Sequence, residues 1–132
     1  VREVKPIGVL SRLESQEDYS KRKDELISRA DTVSPDERSA LASYLRGGSV
    51  ILAIMEYTTD VIGERFGTSG GSGILSDGEF YWRGDAADYV EHYGVAPIDE
   101  FMAWARDSNW EPPQLSMEQI IEIDDFFTMG GD

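Results

Sequence analysis

A chain of 132 residues carries 26 Asp and Glu against 12 Lys and Arg, has a formal net charge of −14 and contains no cysteine. Thiol catalysis, thiolate metal sites and disulfides are thereby excluded, while the length suffices for one domain, residues 1–132, with a real core and no metal staple. An acidic field of this size repels nucleic acid and anionic membrane and attracts basic proteins or cations.

Residues 5–10 read as a short extended segment interrupted by Pro6. Residues 15–30 are heavily charged, with Leu26, Ile27 and Ala30 on one side, and predict an amphipathic helix. Ser34-Pro35-Asp36-Glu37 is a helix start: Ser at the cap, Pro in the first turn and Glu three residues after Ser. That helix carries Leu41, Tyr44 and Leu45 and should stop at Gly47-Gly48. Residues 50–55 form the longest apolar run, six residues against the ~20 that span a bilayer. Three of them are β-branched and Gly-Gly precedes them, which favours a buried central strand over a helix. Residues 67–73, GTSGGSG, lack the Lys-Ser/Thr of a phosphate-binding loop and read as a flexible connection.

Asp77-Gly78 lies between short apolar runs, the signal for a hairpin over residues 73–83 closed by a type I′ turn. That turn would set Ser76 opposite Glu79, Leu75 opposite Phe80, Ile74 opposite Tyr81 and Gly73 opposite Trp82. Leu75, Phe80 and Trp82 would share the core face, Gly73 leaving room for the indole, with Ile74 and Tyr81 on the other face. Asp85 can cap a helix over residues 86–93 that ends at Gly94. Pro97 opens a helix to about Arg106 that buries Phe101, Met102 and Trp104. Ser116 and Gln119 make a capping box for a last helix over residues 117–127, ended by Gly130-Gly131. The sum is an α+β domain, a small antiparallel sheet packed with several helices.

No catalytic, cofactor-binding or metal-binding residues emerge from this pattern. His92, the only histidine, has Asp88 four and Asp85 seven residues before it, but no second nitrogen ligand accompanies it. No G-x-S-x-G elbow exists for serine chemistry, and Asp124-Asp125 lacks the ligand order of a calcium loop. Seventeen acids after residue 47 offer many chance carboxylate pairs and no basis for choosing one.

Charge placement is more informative. Residues 1–47 hold nine basic and nine acidic residues, whereas residues 48–132 hold three (Arg65, Arg83, Arg106) and seventeen. On the last helix Glu118, Glu122 and Asp125 fall at i, i+4 and i+7, a like-charge stripe that costs roughly 0.2–0.5 kcal/mol per pair. Either N-terminal Lys and Arg fold against this stripe or a basic partner compensates it. Asp85, Asp88 and Glu91 form a second acidic group on the short helix, and both groups are candidate protein-binding residues.

The run GGSGILSDGEFYWRGDAADYVEHYGV, with PIDEF, NWEPP and the upstream SPDERSALASYLRGGSVILAIMEYTTD, covers most of residues 34–113. It resembles a signature of small bacterial proteins and, loosely, the immunity-like proteins that accompany polymorphic toxins. The resemblance implies a cytoplasmic, non-catalytic inhibitor of a basic toxin, such as a nuclease. A competing expectation is a small enzyme or ligand-binding domain that uses Tyr57, Asp60 or Glu64 beside the glycine-rich segment.

Overall fold

The computed structural model describes residues 1–129. The N-terminal extended segment shrinks to a two-residue strand, β1 (Lys5–Pro6), followed by a 3-10 turn at Val9–Ser11. The charged stretch expected to be one helix is broken into α1 (Gln16–Tyr19), a 3-10 turn (Ser20–Arg22) and α2 (Lys23–Ser28). No residue of that middle turn is buried, so packing does not hold it in α form. Tyr19 and Leu26 anchor the pair, while Ile27 faces solvent.

α3 (Pro35–Arg46) starts where Ser34-Pro35 places it and stops at Gly47. Ser34 makes no side-chain cap, so Pro35 and the first-turn acids Asp36 and Glu37 define the start. After α3 come β2 (Ser49–Leu52), β3 (Tyr57–Thr59), β4 (Gly67–Ser69), β5 (Ile74–Ser76) and β6 (Phe80–Arg83). The main sheet has the order β1-β6-β5-β2, and β3 and β4 form a separate antiparallel pair. The main sheet is mixed, because β1 runs parallel to β6. Its edge position tolerates Pro6, which has no N–H for a ladder.

The glycine-rich segment is not a flexible connection. Its first three residues are β4, and Gly71, Ser72 and Gly73 are buried.

The hairpin forms with a shifted register: Ser76 pairs with Tyr81, Leu75 with Trp82 and Ile74 with Arg83. Gly78 and Glu79 span the turn, and only Gly78 has positive φ, +94°. Asp77 stays out of the turn's centre because its carboxylate organises the surroundings. Its Oδ1 accepts from the N–H groups of Glu79 (3.0 Å) and Phe80 (2.8 Å), and its Oδ2 from Tyr44 Oη (2.6 Å) and Trp104 Nε1 (3.0 Å). The turn moves by one residue on each strand, so both faces keep the expected side chains. Room for the indole comes from Gly48 instead of Gly73. A Cβ there would lie 2.6 Å from Trp82 Cζ2, and Trp82 Nε1 donates to the Leu45 carbonyl at 3.0 Å.

α4 (Ala86–Tyr93) ends at Gly94, α5 (Asp99–Asp107) starts two residues after Pro97, and α6 (Met117–Thr128) carries the Ser116–Gln119 capping box. Trp104 is partly exposed on α5, reaching Asp77 instead of the core interior. The glycines expected to end α6, Gly130 and Gly131, lie outside the described residues. The sheet separates two apolar clusters. Phe80 and Trp82 join residues of α3, α4 and α5 in the larger one. Val4, Ile51, Ile74 and Ile123 form the smaller one beneath α6. Among the described residues no helix is long and apolar enough to cross a membrane.

Candidate protein-binding surface

Of the apolar run after α3, residues 50–52 form a strand and residues 53–55 do not, and the strand lies at the edge of the sheet instead of its centre. β2 pairs with β5 alone, and an irregularity between Val50 and Leu52 leaves only Ile51 turned inward, against Val4, Ile74 and Ile123. Val50, Leu52, Ile54, Met55 and Tyr57 are consequently exposed, Met55 completely (103%). With four short strands in the main sheet, no further strand among the described residues covers this side. An uncovered apolar edge is a template for pairing with another chain.

Beside the ribbon lies a groove of about 570 Å³ lined by Leu13, Leu52, Ile54, Ile74 and Phe127, with Glu14, Ser15, Glu56 and Ser72 at its polar positions. The core fixes its walls. Arg83, fully buried, donates Nη1 to the carbonyls of Arg12 and Glu14, each at 2.9 Å, and grips Asp85 at 2.9 and 3.1 Å. Its guanidinium also lies 3.6 Å over the Tyr19 ring. Burial works against the cation, but the bonds to Asp85 outweigh it and hold the Arg83 pKa above its ordinary value.

Gln16 clamps the same loop onto β3 by exchanging two bonds with Thr59, at 2.7 and 3.0 Å. Arg22 engages both oxygens of Glu14 and lowers its pKa. Glu56 accepts one backbone N–H, from Gln16, through Oε2 at 3.3 Å. Ser72 Oγ is buried without a hydrogen-bond partner.

The acidic candidates separate in the structure. Asp85 is 1% exposed and belongs to the interior, since its carboxylate serves Arg83 and Thr58; it neither caps α4 nor offers charge to a partner. Asp88 and Glu91 lie together but share Arg46, at 2.8 and 2.6 Å. Glu118, Glu122 and Asp125 stand apart on α6. Among the described residues no cation pairs with them: Lys5 is engaged by Glu79 and Glu100, Arg12 by Glu25 and Arg22 by Glu14, and Arg2, whose backbone N–H reaches the Glu122 carbonyl at 2.9 Å, donates its Nε to the Gly78 carbonyl. Among the described residues the stripe therefore has no direct ion-pair partner, and Met117 and Ile121 expose apolar surface on the same helix.

No protein-family model, curated protein or solved structure matches the chain.

The residues of the competing enzymatic expectation do not assemble into a site. Asp60 is buried and accepts from the N–H groups of Ile62 (2.8 Å) and Arg65 (2.9 Å) and from the Tyr93 hydroxyl, so it shapes its own loop. Burial, then that bond, pushes the Tyr93 phenol up to about 12. Tyr57 and Glu64 face solvent. His92 stacks on Phe66 with ring centroids 4.9 Å apart, while Asp88 bonds Arg46 and Thr68 instead of orienting it. Among the described residues no three His, Asp or Glu side chains come together as a metal-binding group.

Sequence reading missed the groove. Leu13, Glu56 and Ser72 lie far apart in the chain, and an unbroken apolar run signals burial whether or not a neighbouring strand exists to provide it.

Proposed function

We propose that this chain is an acidic, non-catalytic protein-binding module of the bacterial cytoplasm, an immunity-type inhibitor that covers the cationic site of a basic toxin, with a nuclease the fitting class. One observation carries the reading: an exposed apolar strand edge in a fold whose α6 bears acids that form no ion pair among the described residues. The apolar ribbon supplies contact area, and the acids supply steering toward a surface built to hold phosphate. A second copy of the chain is a poor occupant, because each copy carries −14.

The test is association kinetics with a basic protein encoded beside this one. The rate should fall when salt rises from ~0.05 to ~0.5 M, as the Debye length shrinks from roughly 14 to 4 Å. Leu52→Asp/Met55→Asp should release the partner while the circular dichroism spectrum stays unchanged. Absence of binding by any such partner, or binding indifferent to both changes, overturns the reading.

A further inference from the structure

We infer that the groove beside β2 receives a lysine side chain of the protein partner, flanked by aliphatic residues. Leu13, Leu52, Ile54 and Phe127 take the alkyl parts, and Glu56 takes the ammonium. The inference rests on the reading of the chain as a module for basic proteins and names what one site on it recognises.

Size comes first: about 570 Å³ holds more than one side chain, so neighbouring apolar residues enter with the lysine. Five of its nine lining residues are apolar, which suits the four-carbon stem of a lysine whose charged head stays at the rim. Charge selects the head. Glu14 is closed to a newcomer, because Arg22 occupies both of its oxygens. Glu56 binds one backbone N–H through Oε2 and, among the described residues, pairs with no cation.

Ser72 adds an independent observation. Its Oγ, in a residue 5% exposed on the groove wall, is the one buried side-chain polar atom among the described residues without a hydrogen-bond partner. A hydroxyl left in that state is costly, and rotation of the Ser72 side chain toward the groove lets it accept from an entering donor. Geometry then separates lysine from arginine. A guanidinium gains most by gripping both oxygens of a carboxylate side-on, and Oε2 of Glu56 is already engaged. An ammonium presents three donors around one point, which suits two acceptors on different walls.

The test is an NMR titration of the full chain, ¹⁵N-labelled, with acetyl-Leu-Lys-Leu-amide. Peptides with Arg, norleucine or Glu at the centre, and free n-hexylammonium, serve as comparisons. The lysine peptide should shift the amides of Leu13, Leu52, Ile54 and Ser72 and bind about tenfold more tightly than the norleucine peptide. Glu56→Gln should erase that tenfold and leave norleucine binding unchanged. Ser72→Ala should weaken the lysine peptide without lowering the melting temperature.

Equal affinity for lysine and norleucine peptides, or no shifts in the groove, overturns the inference. Tighter binding of free n-hexylammonium than of the peptide makes this a small-amine site and overturns it as well. So do concentration-dependent shifts that sedimentation traces to self-association. A lysine-peptide site in a chain that binds no basic protein would refute the inhibitor reading alone. A basic protein that binds with salt dependence yet ignores Glu56→Gln would refute the groove alone.

Discussion

The two sides of the main sheet are built to different standards. On one side Phe80 and Trp82 pack with Tyr44 and Phe101, ring against ring at 5.2–6.1 Å, under three helices. On the other, three buried aliphatic residues, Val4, Ile51 and Ile74, meet Ile123 of α6, and the surrounding Tyr81, Leu115, Ile120, Phe126 and Phe127 are only partly covered. The thick side carries the stability, so the thin side is free to keep apolar surface in contact with water. Exposed Val50, Leu52 and Met55 are tolerable because little of the fold depends on them.

The largest test of that division concerns the buried ion pair. Arg83→Met leaves Asp85 charged, buried and without its cation, and should cost about 3–5 kcal/mol in urea denaturation. Arg83→Met/Asp85→Asn should recover part of the loss. A loss below ~1 kcal/mol would remove the pair from the account of how the groove wall is held.

Next, Leu45→Ala on the thick side should cost about 4 kcal/mol and Ile123→Ala on the thin side about 2, because the thin side has more freedom to collapse around the gap. Equal costs would break the comparison. Gly78→Val imposes a side chain at φ +94°, with Leu115 Cδ2 only 3.1 Å from the new Cβ, and should lower stability by about 1–2 kcal/mol without altering either face.

Smaller again is Glu118→Gln/Glu122→Gln/Asp125→Asn. Relief of like-charge repulsion should raise the stability by roughly 0.2–0.5 kcal/mol per pair, seen as a slightly higher melting temperature, while association with a basic partner slows. Unfolding of this variant would mean that the stripe is paired inside the protein after all.

The slightest effect is expected from acid. Arg22 and Arg106 hold Glu14 and Glu37 below the ordinary carboxylate value of 4.5. Their contribution is complete above the unfolded value and is lost as pH falls through the lower folded one. Arg22→Gln/Arg106→Gln should therefore lower the melting temperature slightly near neutrality, and the difference from the parent should vanish as pH falls below about 4.5, so that the variant's fall in acid is shallower.

Much of this architecture is legible in local chemistry. Ser34-Pro35, Gly94 and the Ser116–Gln119 box act within a turn of their own residues, and the elements they bound fall where those residues place them. Alternation along the hairpin survives even a shifted turn, because one step on each strand leaves every side chain on its face. What is not legible depends on partners distant in the chain. Asp77 reads as a turn residue until Tyr44 and Trp104 arrive from elsewhere, and Asp85 reads as a surface cap until Arg83 folds over it. The position of β2 at an edge is a fact about strand order, which no six-residue window contains. The groove is harder still, since its wall residues come from four separate stretches.

The guanidinium of Arg83 ties down carbonyls 71 and 69 positions earlier in the chain. At a ribosome adding about 5–20 residues per second, roughly 4–14 s separate the synthesis of those carbonyls from that of their donor. Throughout that interval the carbonyls of Arg12 and Glu14 lack the donor that holds them in the folded protein. Phe127, another wall, is made later still. The recognition surface is thus among the last parts of the molecule to acquire its shape, and a partner meeting a nascent chain finds no groove to enter.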